Sequence, residues 1–225
     1  MCEPASMWVT KSKVFWSEKS ESHSEIADEF KLHVDGVRGA NAVKIEISPI
    51  GGDFRLPLDQ WIFKTDQDDT PKWYDAAEVE ARVREVLPEW LQYKVVLVGQ
   101  KIERNDRIVL ANYGTVSDNS GTVSNNYGTV SYNYGTVSDN RSGGTVSNNY
   151  GTVSNNYGTV SNNSGTVSYN SGTVSYNSGT VSVVNSGQVV TYTPLYLSIL
   201  KSSKAVLIDR SGSSVVCHVG TDQKS

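Results

Sequence analysis

The chain has little of what most often announces a function. Its 225 residues hold only three histidines and two cysteines. Cys2 and Cys217 lie near opposite ends without framework spacing, which points to a reducing compartment rather than a disulfide scaffold. His23, His33 and His218 are scattered, and Cys217 and His218 would face opposite sides of a strand, so no metal-ligand pattern is present. Asp66, Asp68 and Asp69 lack the Gly and Glu that complete an EF-hand loop. A Gly-rich loop followed by Lys is missing, which excludes a P-loop. The many serines have no partner histidine, so nucleophilic catalysis has no support. No carboxylate pair stands out for glycoside hydrolysis. Apolar runs of about 18 residues are also absent, so no helix is expected to span a membrane. The N-terminal residues lack the apolar core of a signal peptide. The expectation is a non-enzyme without cofactor or metal, in the cytoplasm or in a phage particle.

Charge is scarce in the middle of the chain. Residues 1–110 carry 15 basic and 20 acidic residues, whereas residues 111–187 carry only Arg141, Asp118 and Asp139. A surface that binds nucleic acid needs many Lys and Arg to neutralise phosphates, so binding along this stretch is excluded.

What fills the middle is a repeat. Gly-Thr-Val-Ser recurs ten times, beginning at Gly114, Gly121, Gly128, Gly135, Gly144, Gly151, Gly158, Gly165, Gly172 and Gly179. A seven-residue period with one apolar position and a Gly in every unit is not a coiled coil, which needs two apolar positions and good helix formers. Thr-Val-Ser reads as a short strand and x-Asn-Tyr/Ser-Gly as a corner, where Asn and Gly tolerate left-handed backbone angles. Identical strand–corner units predict a stacked β-solenoid. The thin core of Val116, Val123 and their equivalents favours two units per coil. Thr and Ser flank Val and face water together. Asn119, Asn126, Asn133, Asn149, Asn156, Asn163, Asn170 and Asn177 should form ladders that satisfy each other's amides.

The flanks read as caps. Residues 1–99 predict an α+β domain: an extended arm at 7–16, a short helix after a Ser22–Glu25 capping box, and a half-buried strand at Val43–Ser48. Phe54–Lys64 is extended, with Leu56, Leu58, Trp61 and Phe63 as core. A longer helix starts at Asp75, and Pro88 should kink or end it. Ile102 and Val109 are in register with the repeat valines, so the solenoid is placed at 100–187 with degenerate first units. Residues 188–225 predict a β cap. It comprises a last strand at 188–192, an apolar plug of Leu195, Leu197, Ile199 and Leu200, and a hairpin around Arg210-Ser-Gly212.

Candidate binding residues lie on the repeat surface. Thr115, Ser117, Thr129, Ser131, Thr152, Ser154, Thr159 and Ser161 represent the Thr-x-Ser faces. Tyr127, Tyr134, Tyr150 and Tyr157 occupy corners, where stacked rings stiffen the coil and suit an interface. Asn140-Arg-Ser-Gly-Gly144 inserts two residues at one corner, and Arg141 there would make a docking bump.

Two resemblances bear on function. Val43-Lys-Ile-Glu-Ile-Ser48, Trp61-Ile-Phe-Lys-Thr-Asp-Gln-Asp68 and Pro71-Lys-Trp-Tyr-Asp75 resemble the N-terminal region of proteins from gut bacteria and their phages, which also precedes a seven-residue repeat. That likeness implies a mobile-element or accessory role and no particular activity. The repeat is similar in style to ryegrass-type ice-binding solenoids, although here Gly precedes Val, as in Gly114-Thr-Val116. That likeness implies ice binding by the Thr-x-Ser face. The leading expectation is a structural or protein-binding repeat protein with a protein partner or self-association. Ice binding is the first alternative. Nucleic-acid mimicry by the acidic N-terminal domain is the second.

Overall fold

The computed structural model describes residues 5–32, 41–192, 200–202 and 204–221. Cys2, His33, the plug residues Leu195, Leu197 and Ile199, and the tail from 222 lie outside the described residues. The chain divides into two compact units, Met1–Lys94 and Val95–Ser225. The solenoid therefore begins a few residues before the expected position 100, and the C-terminal region belongs to the same unit.

The first unit is α+β. A hairpin of β1 (Ala5–Thr10) and β2 (Val14–Phe15) joins β3 (Ala42–Pro49) and β4 (Trp61–Thr65) in an antiparallel sheet of order β2-β1-β3-β4. The alternation at Val43–Ser48 predicted a strand with one wet face. Instead β3 is a central strand covered on both faces: Val43, Ile45 and Ile47 are fully buried, and so nearly is Glu46. Two helices flank the strands in sequence, α1 (His23–Glu29) and α2 (Ala76–Lys94). Ile26 and Ala27 of α1 pack with Trp8 and Ala42, which alternation places on one face of the sheet.

Helix α2 begins as its sequence directs, with the Glu78 backbone N–H donating to Asp75 Oδ1 at 3.0 Å. The Ser22 capping box does not form: Ser22 is the N-cap of α1 but makes no side-chain capping bond, and its hydroxyl lies 2.8 Å from that of Ser24. Nor does Pro88 end α2, which runs on to Lys94. Leu87 and Trp90 are buried on either side of Pro88. Burying both side chains offsets the roughly 3 kcal/mol that an interior proline costs. Trp90 stacks on Phe54 and meets Trp61 edge-on, so the core here is Phe54 and Trp61, whereas Leu56, Leu58 and Phe63, also expected in the core, are only partly buried. At the end of α2 the buried Lys94 ammonium lies 2.9 Å from Glu21 Oε1 and donates to the Glu18 carbonyl. Burial pushes Glu21 from its ordinary 4.5 up to about 7, against the opposing pull of Lys94.

The second unit is a two-sided parallel β-solenoid of about eight turns. One sheet stacks β6 (Lys101–Asn105), β8 (Thr115–Asn119), β10 (Thr129–Asn133), β12 (Thr145–Asn149), β14 (Thr159–Asn163), β16 (Thr173–Asn177) and β18 (Gly187–Thr191). The other stacks β5 (Val95–Val96), β7 (Ile108–Asn112), β9 (Thr122–Asn126), β11 (Thr136–Asn140), β13 (Thr152–Asn156), β15 (Thr166–Asn170) and β17 (Thr180–Val184). Two repeat units make one coil, as the thin core implied. Each sheet has its own valine ladder. Ile102 pairs with Val116 and Val116 with Val130 in the first; Val109 pairs with Val123 and Val137 with Val153 in the second.

The strands do not keep strict alternation. Burial along each reads partly exposed, buried, partly exposed, outward, buried, so the Asn three residues after Val turns inward again. Those asparagines form two continuous ladders. Asn105, Asn119, Asn133, Asn149, Asn163 and Asn177 follow one another in the first, and Asn112, Asn126, Asn140, Asn156 and Asn170 in the second. Each Nδ2 donates to the next Oδ1 at 2.7–2.8 Å. Asn105, Asn112 and Asn140 extend the ladders beyond the eight residues that the repeat pattern picked out. The ladders end where the repeat ends, with Val184 opposite Asn170 and Thr191 opposite Asn177.

The repeat glycines serve a different end from the one expected. None of the ten that open the repeats has a positive φ; among described glycines Gly143 and Gly187 do, along with Gly51, Gly52 and Gly99. A Cβ on Gly165 or Gly179 would instead fall under 3.0 Å from the carbonyl oxygen of the glycine one coil below. Glycine is required because successive corners stack backbone on backbone.

At the C-terminal end β19 (Ala205–Asp209) adds to β18 in parallel, and β20 (Val216–Val219) pairs antiparallel with β19. Residues 188–192 are thus not the last rung, while the hairpin around Arg210-Ser-Gly212 is as expected. Leu207 continues one core ladder opposite Val189, and Leu200 bridges Val184 on the other. No helix among the described residues is long and apolar enough to cross a membrane.

Candidate functional site

The solenoid surface carries two kinds of regular feature, and the candidate residues divide between them. Parallel register makes each outer face a stack of Thr-x-Ser pairs. Thr115, Ser117, Thr129, Ser131, Thr159 and Ser161 lie on the sheet that holds β8, β10 and β14, whereas Thr152 and Ser154 lie on the opposite sheet, on β13. They are therefore two surfaces and not one. Neither repeats cleanly. The residue after Ser on the first face is Asp118, Tyr132, Asn148, Asn162 and Tyr176 from rung to rung; on the second it is Asn125, Asp139, Asn155 and Tyr169. Tyr132, Tyr169 and Tyr176 are each about half exposed and stand clear of the short side chains beside them.

The corners form two columns along the edges of the flattened coil. Each corner residue but Tyr192, which follows Thr191, comes directly after a ladder Asn. Each donates its backbone N–H to the residue one coil back: a ladder Asn carbonyl everywhere except at Tyr113, which bonds the Val96 carbonyl. One column reads Ser120, Tyr134, Tyr150, Ser164, Ser178 and Tyr192. The other reads Tyr113, Tyr127, Arg141, Tyr157 and Ser171. Tyr134 stacks on Tyr150 at 5.2 Å between centroids and 10°, and Tyr113 on Tyr127 at 4.9 Å and 8°. These separations track the strand spacing of about 4.8 Å. Stacking uses one ring face and leaves much of each ring to solvent: Tyr127, Tyr134 and Tyr150 are 42–57% exposed. Tyr157, 51% exposed, has Arg141 and Ser171 as its column neighbours rather than rings.

Arg141 occupies a tyrosine slot. Its N–H donates to the Asn126 carbonyl at 2.9 Å, as Tyr157 donates to Asn140. Ser142 and Gly143 then bulge, with Gly143 at φ +87° and the Gly144 N–H closing onto the Arg141 carbonyl at 2.8 Å. The ladder passes through undisturbed, from Asn126 to Asn140 to Asn156. The guanidinium does not project as a bump. It folds onto the face, donating to Asn125 Oδ1 at 2.7 and 3.0 Å and to Asp139 Oδ2 at 2.9 Å. Asn155 donates to the other Asp139 oxygen at 2.8 Å. Two of the three charges in the repeat thus neutralise each other, and the surface is close to neutral and rich in aromatic rings.

No family model matches the chain, and no curated protein or solved structure matches it. What the chain's own geometry defines is a two-sided β-solenoid with stacked tyrosine edges.

Proposed function

We propose that the chain is a non-enzymatic structural or protein-binding element of a phage or bacterial accessory system, and that it engages a protein partner through its tyrosine corners. The observation that carries this reading is the pair of tyrosine columns. Tyr is among the residues that dominate interface energetics, because it buries a large rigid surface with a polar tip at little entropic cost. Here Tyr127 stacks on Tyr113 and Tyr134 on Tyr150, and backbone hydrogen bonds fix each corner to the coil below. The near absence of charge leaves shape and aromatic burial to set specificity.

Ice binding is the second reading, favoured by the in-register Thr-x-Ser rungs on both faces. A crystal plane demands translational identity from rung to rung, and Tyr132, Tyr169 and Tyr176 interrupt both faces. A protein partner tolerates such irregularity, so the corner reading stands first.

The test uses substitutions already present in the chain. Ser164, Ser171 and Ser178 occupy corner positions, so Tyr127→Ser, Tyr134→Ser, Tyr150→Ser and Tyr157→Ser leave a corner the backbone accepts. The quadruple variant should keep the fold by circular dichroism and lose a specific partner captured by the wild type from cells that carry the gene. Capture unchanged in the variant would overturn the reading. Ice shaping at high micromolar protein, abolished by Thr152→Tyr with Thr159→Tyr, would put the second reading in its place.

A further inference from the structure

In the first unit three side chains from three segments converge on the α1 face of the sheet. His23 opens α1, Glu46 lies in the middle of β3, and Asp66 directly follows β4. One ligand-type atom from each lies within 4.8 Å of the other two. His23 is 5% exposed and Glu46 4%.

The hydrogen bonding of His23 sets what its second ring nitrogen can do. Nε2 sits 3.0 Å from the Ile45 carbonyl oxygen, which can only accept. Nε2 therefore carries the hydrogen, and Trp8 Nε1 fixes the same residue by donating to its backbone carbonyl at 2.6 Å. Nδ1 then faces Asp66 Oδ2 at 3.3 Å. In the neutral tautomer that places a nitrogen lone pair against a carboxylate oxygen, with a second carboxylate, Glu46, close by. A proton on Nδ1 or a cation bound between the three groups relieves that repulsion. An imidazole whose other N–H is held by a backbone carbonyl is the usual arrangement of a metal-bound histidine.

We infer that His23 Nδ1, Glu46 and Asp66 form a binding site for one divalent first-row transition ion, Zn²⁺ above the others. A donor set of one nitrogen and two carboxylates disfavours Mg²⁺ and Ca²⁺, which take oxygen alone. Ligands about 2.1 Å from a tetrahedral Zn²⁺ lie roughly 3.4 Å apart, close to the observed separation of Nδ1 and Oδ2. Glu46, within 4.8 Å of the other two ligand atoms, closes the remaining gap by a small side-chain movement. Glu46 also faces Lys64 at 3.6 Å, whose side chain is 63% exposed. Asp66 is 37% exposed, which gives the ion an entry path and leaves a position for water. The ion would fasten α1 to β3 and to the end of β4. At seven residues α1 is too short to be stable alone, and it has no side-chain cap.

The experiment is titration of the metal-free full-length chain with Zn²⁺, and separately with Mn²⁺, followed by calorimetry and thermal unfolding. The expected result is one saturable site for Zn²⁺ and a rise in Tm, with affinity reduced at least about 100-fold in both Asp66→Asn and His23→Gln. Asp66 is partly exposed, so Asp66→Asn keeps the readout valid if His23→Gln fails to fold. A Cys217→Ser, His218→Gln variant should bind as the wild type does. Loss of binding in that variant, binding unchanged in Asp66→Asn, or no saturable binding at all would overturn the assignment and leave a simple His23–Asp66 ion pair.

Discussion

Replacing Asn149 by Ala tests what holds the solenoid together. Asn149 is fully buried and central in its ladder. It accepts from Asn133 Nδ2 and donates to Asn163 Oδ1, both at 2.7 Å. Without it, Asn133 Nδ2 still reaches the Thr152 carbonyl at 3.1 Å, so that loss costs about 1 kcal/mol. Asn163 Oδ1 loses its ladder donor inside the core, which adds roughly 1–3 kcal/mol, and the void adds a further increment. The total is about 3–4 kcal/mol. Asn177→Ala is the matched control at the ladder's end. It leaves Asn163 Nδ2 with the Gly165 and Thr180 carbonyls, and the Thr191 hydroxyl still donates to the backbone carbonyl at position 177. No ladder oxygen is orphaned, and about 1 kcal/mol is expected. Urea unfolding followed by far-ultraviolet circular dichroism measures both. A solenoid is stabilised rung by rung, so the central substitution should also split the transition in two. Equal costs for the two variants, or less than about 1 kcal/mol for Asn149→Ala, would refute the ladder as a source of stability.

Other perturbations test other parts of the structure. Gly165→Ala should prevent stable folding or lower Tm sharply, because its Cβ meets the Gly151 carbonyl. Gly143→Ala, at φ +87° with open space around it, should cost only about 1 kcal/mol in the same melt. Glu21 has a folded pKa near 7 against an ordinary 4.5, so the native state binds its proton more tightly. Its contribution is fully present below pH 4.5 and is lost as pH rises towards 7; Glu21→Gln should flatten that slope in urea titrations of stability against pH. Deleting residues 188–225 uncovers the edges of β16 and β17, and light scattering should then report end-to-end assembly; a monomeric product would refute a capping role for β18 to β20.

The fold was legible because the repeat carries one decision per unit. Val at a seven-residue step, broken once by the two residues inserted after Asn140, with Gly and Asn at the corners, leaves a stacked coil as the arrangement that buries every Val. The register of Ile102 and Val109 was readable for the same reason. Other features depended on contacts that spacing does not encode. The Asn140 ladder position was hidden by the two residues inserted after it. The corner glycines looked like left-handed turns until the coil below supplied the carbonyl that excludes a Cβ. Arg141 looked like a projection because its partners, Asn125 and Asp139, lie on a neighbouring strand and on its own. Ser22 and Glu25 have the spacing of a capping box, yet Ser22 turns to Ser24. The N-terminal sequence showed three scattered histidines; pairing of β3 with β4 and the docking of α1 bring His23 to Glu46 and Asp66.

The tyrosine corners as a protein-binding edge are the centre of the functional proposal. The most direct measurement is site-specific photo-cross-linking in cells that carry the gene, with a benzophenone side chain in place of Tyr134 or Tyr150, and of Asn148 on the adjacent face as control. One discrete protein adduct is expected from positions 134 and 150 and none from 148. Adducts of the same pattern from all three positions, or from none, would contradict it.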